Sequence, residues 1–342
     1  MAKTAVVILN WNGKKFLEQF LPALTKFTDD PDTEIIIADN HSTDHSIAFL
    51  NENYPALRII QLDKNYGFTG GYNKALQHVK AKYYVLINSD IEVTENWLNP
   101  LIDLMDSDDK IAASQPKIKA YHQKKYFEYA GASGGFIDKF GYPFCRGRII
   151  DTLEKDNGQY DDIREVFWAS GACMVIRADL FHHLGGFDDD FFAHMEEIDL
   201  CWRLKNSGFK IFVNPKSEVF HVGGGTLPVS PFKLYLNYRN NLFLLYKNLP
   251  HGKLFGKIFI RLILDGLSSI IYLLGLSFRN FTAVFKAHIH FYQSLKKLRI
   301  KRNELLLNHR ISNHREILQR SILIKYFFRK IKFFAQLKEL NR

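Results

Sequence analysis

The sequence predicts an α/β domain on a parallel sheet with helices on both faces, followed by a basic helical extension. Three observations carry this. Between Ala5 and Asn88, short apolar runs alternate with stretches of helical periodicity. The apolar runs are continuous, not alternating. The charge is divided unevenly along the chain.

The strands come first. Ala5–Asn10 (AVVILN), Glu34–Asp39 (EIIIAD), Leu57–Leu62 and Tyr83–Asn88 (YYVLIN) are apolar at successive positions. Such strands need cover on both faces and belong inside a parallel sheet. Between them, Gly13–Phe27 places Phe16, Leu17, Phe20, Leu21 and Leu24 at helical spacing, and Asp44–Asn53 and Gly70–Val79 read as further helices. Strand–helix alternation with short connections is the pattern of βαβ units. Beyond about Tyr126 the alternation stops. Gly131–Arg148, rich in glycine and aromatics, reads as a hairpin or irregular loop, and Val166–Ile176 as a strand region. Asp199–Lys205 forms the core of a helix ending at Gly208, while Lys210–Val213 and Glu218–Val222 read as two short strands. Asn248-Leu249-Pro250-His251-Gly252 interrupts the pattern, so a body over residues 1–248 and an extension over 249–342 are expected.

The chain has 342 residues, enough for a substantial core. Its three cysteines, Cys145, Cys173 and Cys201, are far apart and form no CxxC pair. A disulfide framework or zinc site is therefore not expected, and a reducing, cytoplasmic setting is. No signal-peptide core precedes the first strand. The net charge of +10 hides a division: Met1–Pro250 holds 27 Lys+Arg against 32 Asp+Glu, and His251–Arg342 holds 19 against 4. A basic tail of this kind meets phosphates, in nucleic acid or on an anionic membrane; nothing in the body supports nucleic acid. Ile258–Phe278 is apolar but broken by Arg261 and Asp265, which favours an interfacial helix or a hairpin-like dip over a clean span. From Lys286 to Arg342, Lys and Arg mix with Phe, Leu and Ile, as in Tyr326–Phe334. This suits an amphipathic helix on anionic lipid, or a helical subdomain packed on the body or on a second copy.

In open parallel sheets, ligands bind beyond the carboxyl ends of the strands. Here those ends carry Asn10-Trp11-Asn12, Asp39-Asn40-His41-Ser42, Asp63-Lys64-Asn65 and Asn88-Ser89-Asp90. Each alone is an ordinary turn or N-cap; together they indicate a site. The first loop lacks GxGxxG, which excludes a dinucleotide fold. Glycines lie instead within Asn65–Asn73, at a helix start, where they open a turn or let N–H groups face an anion. Asp90 suits a hard divalent cation shared with substrate phosphates, or caps the next helix. Glu196-Glu197-Ile198-Asp199 crowds three carboxylates, which raises at least one pKa and suits a general base; acids at a helix start are also stabilising without any catalysis. His221 reads as a metal ligand or a core histidine.

The runs VVILNWNG, ADNHSTDHS, NYGFTGGYN and LINSDIEV, continued by WASGACMVIRADLF, GGFDDDFFAHMEEIDLCWR and VFHVGGGT, closely resemble inverting family 2 glycosyltransferases of the GT-A fold. The resemblance covers about residues 4–245 and is nearest to the rhamnosyltransferase-like branch that builds bacterial surface polysaccharides. It implies a nucleoside-diphosphate-sugar donor, dTDP-rhamnose or a UDP-hexose, and a lipid-linked or growing glycan acceptor. It implies Mg²⁺ or Mn²⁺ as cofactor and work at the cytoplasmic face of the membrane. By position, Asp39 would hold the nucleotide base, with Asn10 and Asn12 in the same pocket. Asn65, Gly67, Gly70 and Asn73 would lie near the donor sugar and diphosphate. Asp90 matches the last acid of the DxD motif, here Asn88-Ser89-Asp90, and His221 the later histidine of the metal site. Glu197 stands where the family usually carries a base Asp and is the expected base, with Glu196 before it and Asp199 two residues on as the alternatives. A sugar nucleotidyltransferase wants a basic triphosphate loop after the first strand, which Asn10–Lys15 fits poorly. A non-catalytic nucleotide- or glycan-binding protein is the other alternative, allowed by the thinned DxD.

Overall fold

The computed structural model describes residues 2–223, 230–308 and 313–340. Gly224, Gly225 and Thr226 of the run after His221, and residues 309–312 and 341–342 of the basic stretch, lie outside the described residues.

The first half is built as the sequence predicts. β1 (Thr4–Asn10), α1 (Lys14–Phe27), β2 (Thr33–Asp39), α2 (Ser46–Asn53), β3 (Arg58–Gln61), α3 (Gly67–Leu76) and β4 (Tyr83–Asn88) follow in order. β1 runs parallel to both β2 and β4, and β2 parallel to β3. The continuous apolar runs are explained by their two faces. On one face Ala5, Val7, Ile36, Ala38, Tyr84 and Leu86 pack with Tyr72, Ala75 and Leu76 of α3. On the other, Val6, Ile8, Ile37, Val85 and Ile87 meet Leu17, Leu21 and Leu24 of α1 and Leu50 of α2.

Past β4 the sheet becomes mixed. β5 (Ile91–Val93), α4 (Asn99–Ser107), β6 (Ile111–Ala120) and β7 (Gln123–Phe127) are followed by five short strands: β8 (Gly135–Asp138), β9 (Pro143–Cys145), β10 (Arg148–Ile149), β11 (Thr152–Leu153) and β12 (Arg164–Glu165). Then come β13 (Cys173–Arg177), α5 (Ala178–His183), α6 (Glu196–Asn206) and β14 (Lys210–His221). The main sheet has the order β12-β14-β6-β13-β4-β1-β2-β3, with β5 on β14 and β7 on β6. β13 is antiparallel to β4 and β6, while β14 is parallel to β6. The Gly131–Arg148 region is a hairpin, β8 pairing antiparallel with β9. The two short strands expected at 210–213 and 218–222 are one strand, β14. The register shift between Asn214 and Glu218 breaks its apolar pattern without ending it.

Three helices follow: α7 (Pro231–Asn248), α8 (His251–Leu274) and α9 (Phe278–Asn308). The boundary expected near 248 falls between α7 and α8, yet packing continues across it. Leu242–Leu245, Phe291, Leu298, Leu318, Ile322, Phe334, Leu337 and Leu340 all belong to the core cluster that includes the sheet residues Ala5 and Val7. Tyr326–Phe334 is not the amphipathic helix the sequence predicts. It is a π-turn over Ile324–Phe328 and a connection to a 3-10 turn at Phe334–Gln336. Its apolar residues serve the body: Phe334 packs against Phe136, Phe144 and Tyr160, and β15 (Ile317–Leu318) adds a parallel strand to β8. Part of the tail's basic charge is paired with the body, since Lys301 meets Asp188 and Asp190, and Lys297 meets Asp190.

Candidate active site

The carboxyl ends of β1, β2 and β4 gather the predicted polar residues. Asn10 is fully buried and its Nδ2 donates to Asp39 Oδ1 at 3.0 Å and to Ser42 Oγ at 3.1 Å. The backbone N–H of Ser42 donates to Asp39 Oδ2 at 2.9 Å. Asn12, in the left-handed region at φ 51°, accepts from Thr43 N–H at 2.7 Å and donates its own N–H to Ser42 Oγ at 2.9 Å. Three predicted residues are thus tied through Ser42. Gly13 is required here: a Cβ would stand 2.5 Å from Asn10 Oδ1 and 3.3 Å from Ser89 Oγ.

A second knot joins β2 to α3. Asn40 Nδ2 donates to Asn65 Oδ1 at 3.0 Å and to the Gly67 carbonyl at 2.9 Å, while its Oδ1 accepts from Tyr66 N–H. The start of α3 is not open to an anion. Gly67 N–H donates to Asn65 Oδ1 at 2.8 Å, and the N–H groups of Phe68 and Thr69 both donate to the Phe192 carbonyl. Gly67 has φ +71° and a Cβ on it would lie 2.6 Å from the Phe192 ring, so glycine serves a close approach between two loops. Gly70 sits against Tyr66. Asn73 bridges to the same neighbouring loop, donating to Phe187 O at 2.8 Å and Asp189 Oδ1 at 2.7 Å and accepting from Phe187 N–H. Both polar atoms of its side chain hold that loop, not an open pocket.

The third cluster forms through the sheet. Pairing of β5 with the end of β14 sets His221 opposite Ile91. This brings His221 Nε2 to 3.2 Å from Asp90 Oδ1. Both residues are buried. Glu128, just past β7, lies 3.4 Å from His221 Nδ1. Burial alone would lower the imidazole pKa, but Glu128 and Asp90 outweigh it and push it up to about 10. The raised pKa favours a proton on His221, so a divalent cation would have to displace that proton before the Asp90 oxygen and the imidazole nitrogen could hold it side by side, with Glu128 beyond the other ring nitrogen. Asp90 Oδ1 makes no hydrogen bond among the described residues. Two protein ligands leave the remaining positions to substrate oxygens, as hard cations sharing diphosphates require.

The acidic cluster sorts into three roles. Asp199 is fully buried and bonded to Arg203 Nε at 2.9 Å, Lys247 Nζ at 2.9 Å and Asn248 Nδ2 at 2.8 Å. Burial pushes its pKa up, yet Lys247 and Arg203 hold it below the usual carboxylate range. Asp199 is therefore a structural ion-pair partner and not a base, which corrects the sequence expectation. Glu196 is buried, and desolvation and Glu197 hold its pKa well above the usual carboxylate range. Glu197 keeps partial contact with solvent, and burial raises its pKa to about 7 against opposing backbone hydrogen bonds. Its Oε2 has no hydrogen-bond partner among the described residues. A carboxylate poised near neutrality and free to accept a proton has the properties of a general base. Gly171 of the WASGA segment lies beside it; a Cβ there would sit in ordinary contact, 3.7 Å from Glu197 Cβ.

What aims Glu197 was not read from the sequence. The residues before it hold left-handed conformations: Phe192 at φ 66°, His194 at 69° and Met195 at 72°. Asn240, fully buried on α7, donates its Nδ2 to the carbonyls of Phe191 at 2.9 Å, Ala193 at 2.8 Å and His194 at 2.7 Å. Arg239 donates to the Asp190 and Phe191 carbonyls and to Asn240 Oδ1. The signal was present: consecutive Asn240 and Asn241 in the middle of an apolar helix are poor helix formers there and point to tertiary hydrogen bonds. Glu128, Asn40 and Ser42 carried no comparable mark beyond their positions.

The family model for glycosyl transferase family 2 matches residues 5–185. The chain belongs to this family. Among family 2 relatives, the N-acetylglucosaminyl-diphospho-decaprenol L-rhamnosyltransferase of Mycobacterium tuberculosis is 26% identical over 231 residues, covering 63% of this chain and 75% of its own. The rhamnosyltransferase WbbL of Escherichia coli K12 is 26% identical, covering 63% of this chain and 82% of its own. The structure of GalNAc-T7 with UDP, GalNAc and Mn²⁺ superposes with a TM-score of 0.56 at 17% identity, over 72% of this chain and 48% of that one. The mannosyltransferase PcManGT of Pyrobaculum calidifontis, in complex with GDP-Man and Mn²⁺, gives 0.53 at 12% identity over 86% and 88%. At that identity these likenesses show the fold alone, the GT-A architecture of this glycosyltransferase family.

Proposed function

We propose that this family 2 glycosyltransferase is an inverting, metal-assisted enzyme. It moves a sugar from a nucleoside-diphosphate sugar to a hydroxyl of a lipid-linked or growing surface polysaccharide, at the cytoplasmic face of the membrane. The observation that carries it is the placement of Glu197 on a clamped loop, a side chain partly open to solvent whose Oε2 has no partner among the described residues. The rhamnosyltransferase names of two relatives favour dTDP-rhamnose as donor; a UDP-hexose is the alternative.

In this reading Asp39, Asn10 and Asn12 hold the nucleotide base, and Asn65, Gly67, Gly70, Asn88 and Ser89 shape the donor side. Asp90 and His221 would hold Mg²⁺ or Mn²⁺, and a cation there would neutralise the leaving diphosphate as a Lewis acid. Glu197 takes the proton of the acceptor hydroxyl. The freed oxygen bonds the anomeric carbon from the face opposite the diphosphate. The C–O bond to phosphate breaks, and its electron pair leaves with the nucleotide, which inverts the centre.

The test is a donor screen on purified protein. It follows nucleoside-diphosphate release from dTDP-, UDP- and GDP-sugars with Mn²⁺, Mg²⁺ or EDTA, for wild type and Glu197→Gln. Turnover of one donor that needs metal and is lost in the variant is expected. A thermal-shift series with the same nucleotides runs beside it, and no binding of any of them would sink the assignment of Asp39 and the site.

A further inference from the structure

α8 is amphipathic in reverse. Its two charged residues between Ile258 and Phe278, Arg261 and Asp265, face the protein, 3% and 0% exposed. Arg261 Nε donates to Asp265 Oδ1 at 2.8 Å, and its guanidinium lies over the Tyr142 ring and reaches the Phe140 carbonyl. Leu254, Ile258 and Leu262 join that inner face. The outer face, at spacings of three and four residues, carries Phe255, Phe259, Ile263, Leu267, Ile271 and Leu274, all exposed. The turn into α9 continues it with Leu276 and Phe278, 77% and 60% exposed.

This patch is of the size that marks an interaction surface. A full aromatic side chain offers roughly 150–250 Å², so at 84%, 56% and 60% exposure Phe255, Phe259 and Phe278 alone present about 300–500 Å². That already equals the largest patch on a typical monomer. Cations lie near both ends: Lys253 near the start of α8 and Arg279 at the start of α9. No helix among the described residues is long and apolar enough to cross a membrane. An uncharged apolar stripe framed by lysine and arginine matches the acyl–headgroup boundary of one anionic leaflet, where such a helix lies roughly 5–10 Å deep in the plane.

We propose that the outer face of α8 and the α8–α9 turn insert into one leaflet of an anionic bilayer and are the membrane-docking element of this chain. The inward Arg261–Asp265 pair lets the helix present an uncharged face to lipid while staying bonded to the body. The proposal deepens the membrane part of the reading above and rests on it, but on none of the catalytic assignments.

The test is flotation of the full chain with vesicles of phosphatidylcholine alone and of phosphatidylcholine with about a third phosphatidylglycerol. Wild type, the double variant Phe259→Glu/Ile263→Glu and the conservative double variant Phe259→Leu/Ile263→Val are compared. Wild type and the conservative variant are expected to float with anionic vesicles. The charged variant is expected to lose at least tenfold in partitioning while keeping its nucleotide thermal shift. If the charged variant loses that shift, an environment-sensitive dye on Leu267→Cys replaces it. A blue shift on adding vesicles supports insertion and no shift overturns it. Equal flotation of wild type and charged variant overturns the docking face while leaving membrane attachment standing. Binding carried wholly by charge, absent on neutral vesicles and abolished by high salt, overturns insertion. A wild type that ignores vesicles but elutes as a dimer, with the charged variant monomeric, assigns the face to a second copy and overturns both.

Discussion

Replacing Asn240 by alanine tests whether the loop before Glu197 is held in place or merely resides there. One amide serves three carbonyls, those of Phe191, Ala193 and His194, of which the Phe191 carbonyl also accepts from Arg239. Its two protons make about two full hydrogen bonds' worth of interaction, each about 1 kcal/mol net, and carbonyls left buried without a partner add about 1–3 kcal/mol. The loop holds three left-handed residues, Phe192, His194 and Met195, each costing on the order of 1–3 kcal/mol and persisting only while the surroundings enforce them. A loss of about 2–4 kcal/mol is therefore enough to let the loop relax, which corresponds to roughly 30- to 1,000-fold in kcat. Asn240→Asp, which keeps the shape but cannot donate, is expected to fall as far. Asn241→Ala, one residue on, removes a bond to the Gly141 carbonyl and a contact with Arg261. It is expected to lower Tm while leaving kcat near wild type. The assay is steady-state turnover at saturating donor and metal, with nucleotide affinity measured separately by thermal shift. Wild-type kcat in Asn240→Ala, with only Tm reduced, would refute the clamp.

Three further outcomes follow from the same geometry. Glu197 acts as its carboxylate and its pKa is raised to about 7, so log kcat is expected to rise with unit slope up to about pH 7 and then level, and Glu197→Gln to remove that limb from whatever activity remains. Glu128→Gln leaves Asp90 and His221 in place but removes the carboxylate behind the histidine; metal titrations of turnover are expected to show a 10- to 100-fold weaker requirement-setting affinity, and an unchanged curve would detach Glu128 from the metal site. Asp199→Asn leaves Arg203 buried without a carboxylate partner among the described residues, while Lys247 keeps Asp188. Chemical denaturation is expected to show a loss of about 3–5 kcal/mol, with nucleotide binding retained by the fraction that folds.

The parallel half of the sheet and the strand-end residues were legible because both depend on local pattern: a two-sided strand must be apolar throughout, and its carboxyl end must turn. Asp39, Asn10 and Asn12 were readable for that reason. The role of Asp199 was not, because the partners that remove it from chemistry, Lys247 and Asn248, lie about fifty residues on and arrive only through α7. Glu128 reaches His221 across two strands and a loop, a contact no spacing encodes. The reversed polarity of α8 was half visible. Arg261 and Asp265 were seen as interruptions of an apolar run, but their four-residue spacing places them on one helical face, and only the packing tells which way that face points.

The return of the chain at β15 and Phe334 also orders events in time. The β8–β9 hairpin has Phe136 and Phe144 ready early in synthesis, but the residues that cover them are nearly two hundred positions away. Until residues 317–340 have been made, the β8–β9 hairpin has a bare edge at β8 and an open aromatic face, while α8 emerges with its own apolar stripe already uncovered. Two adhesive surfaces thus coexist during synthesis, one destined for the protein's interior and one for its exterior. Delivery of α8 to lipid before the last segment closes would keep them from meeting each other.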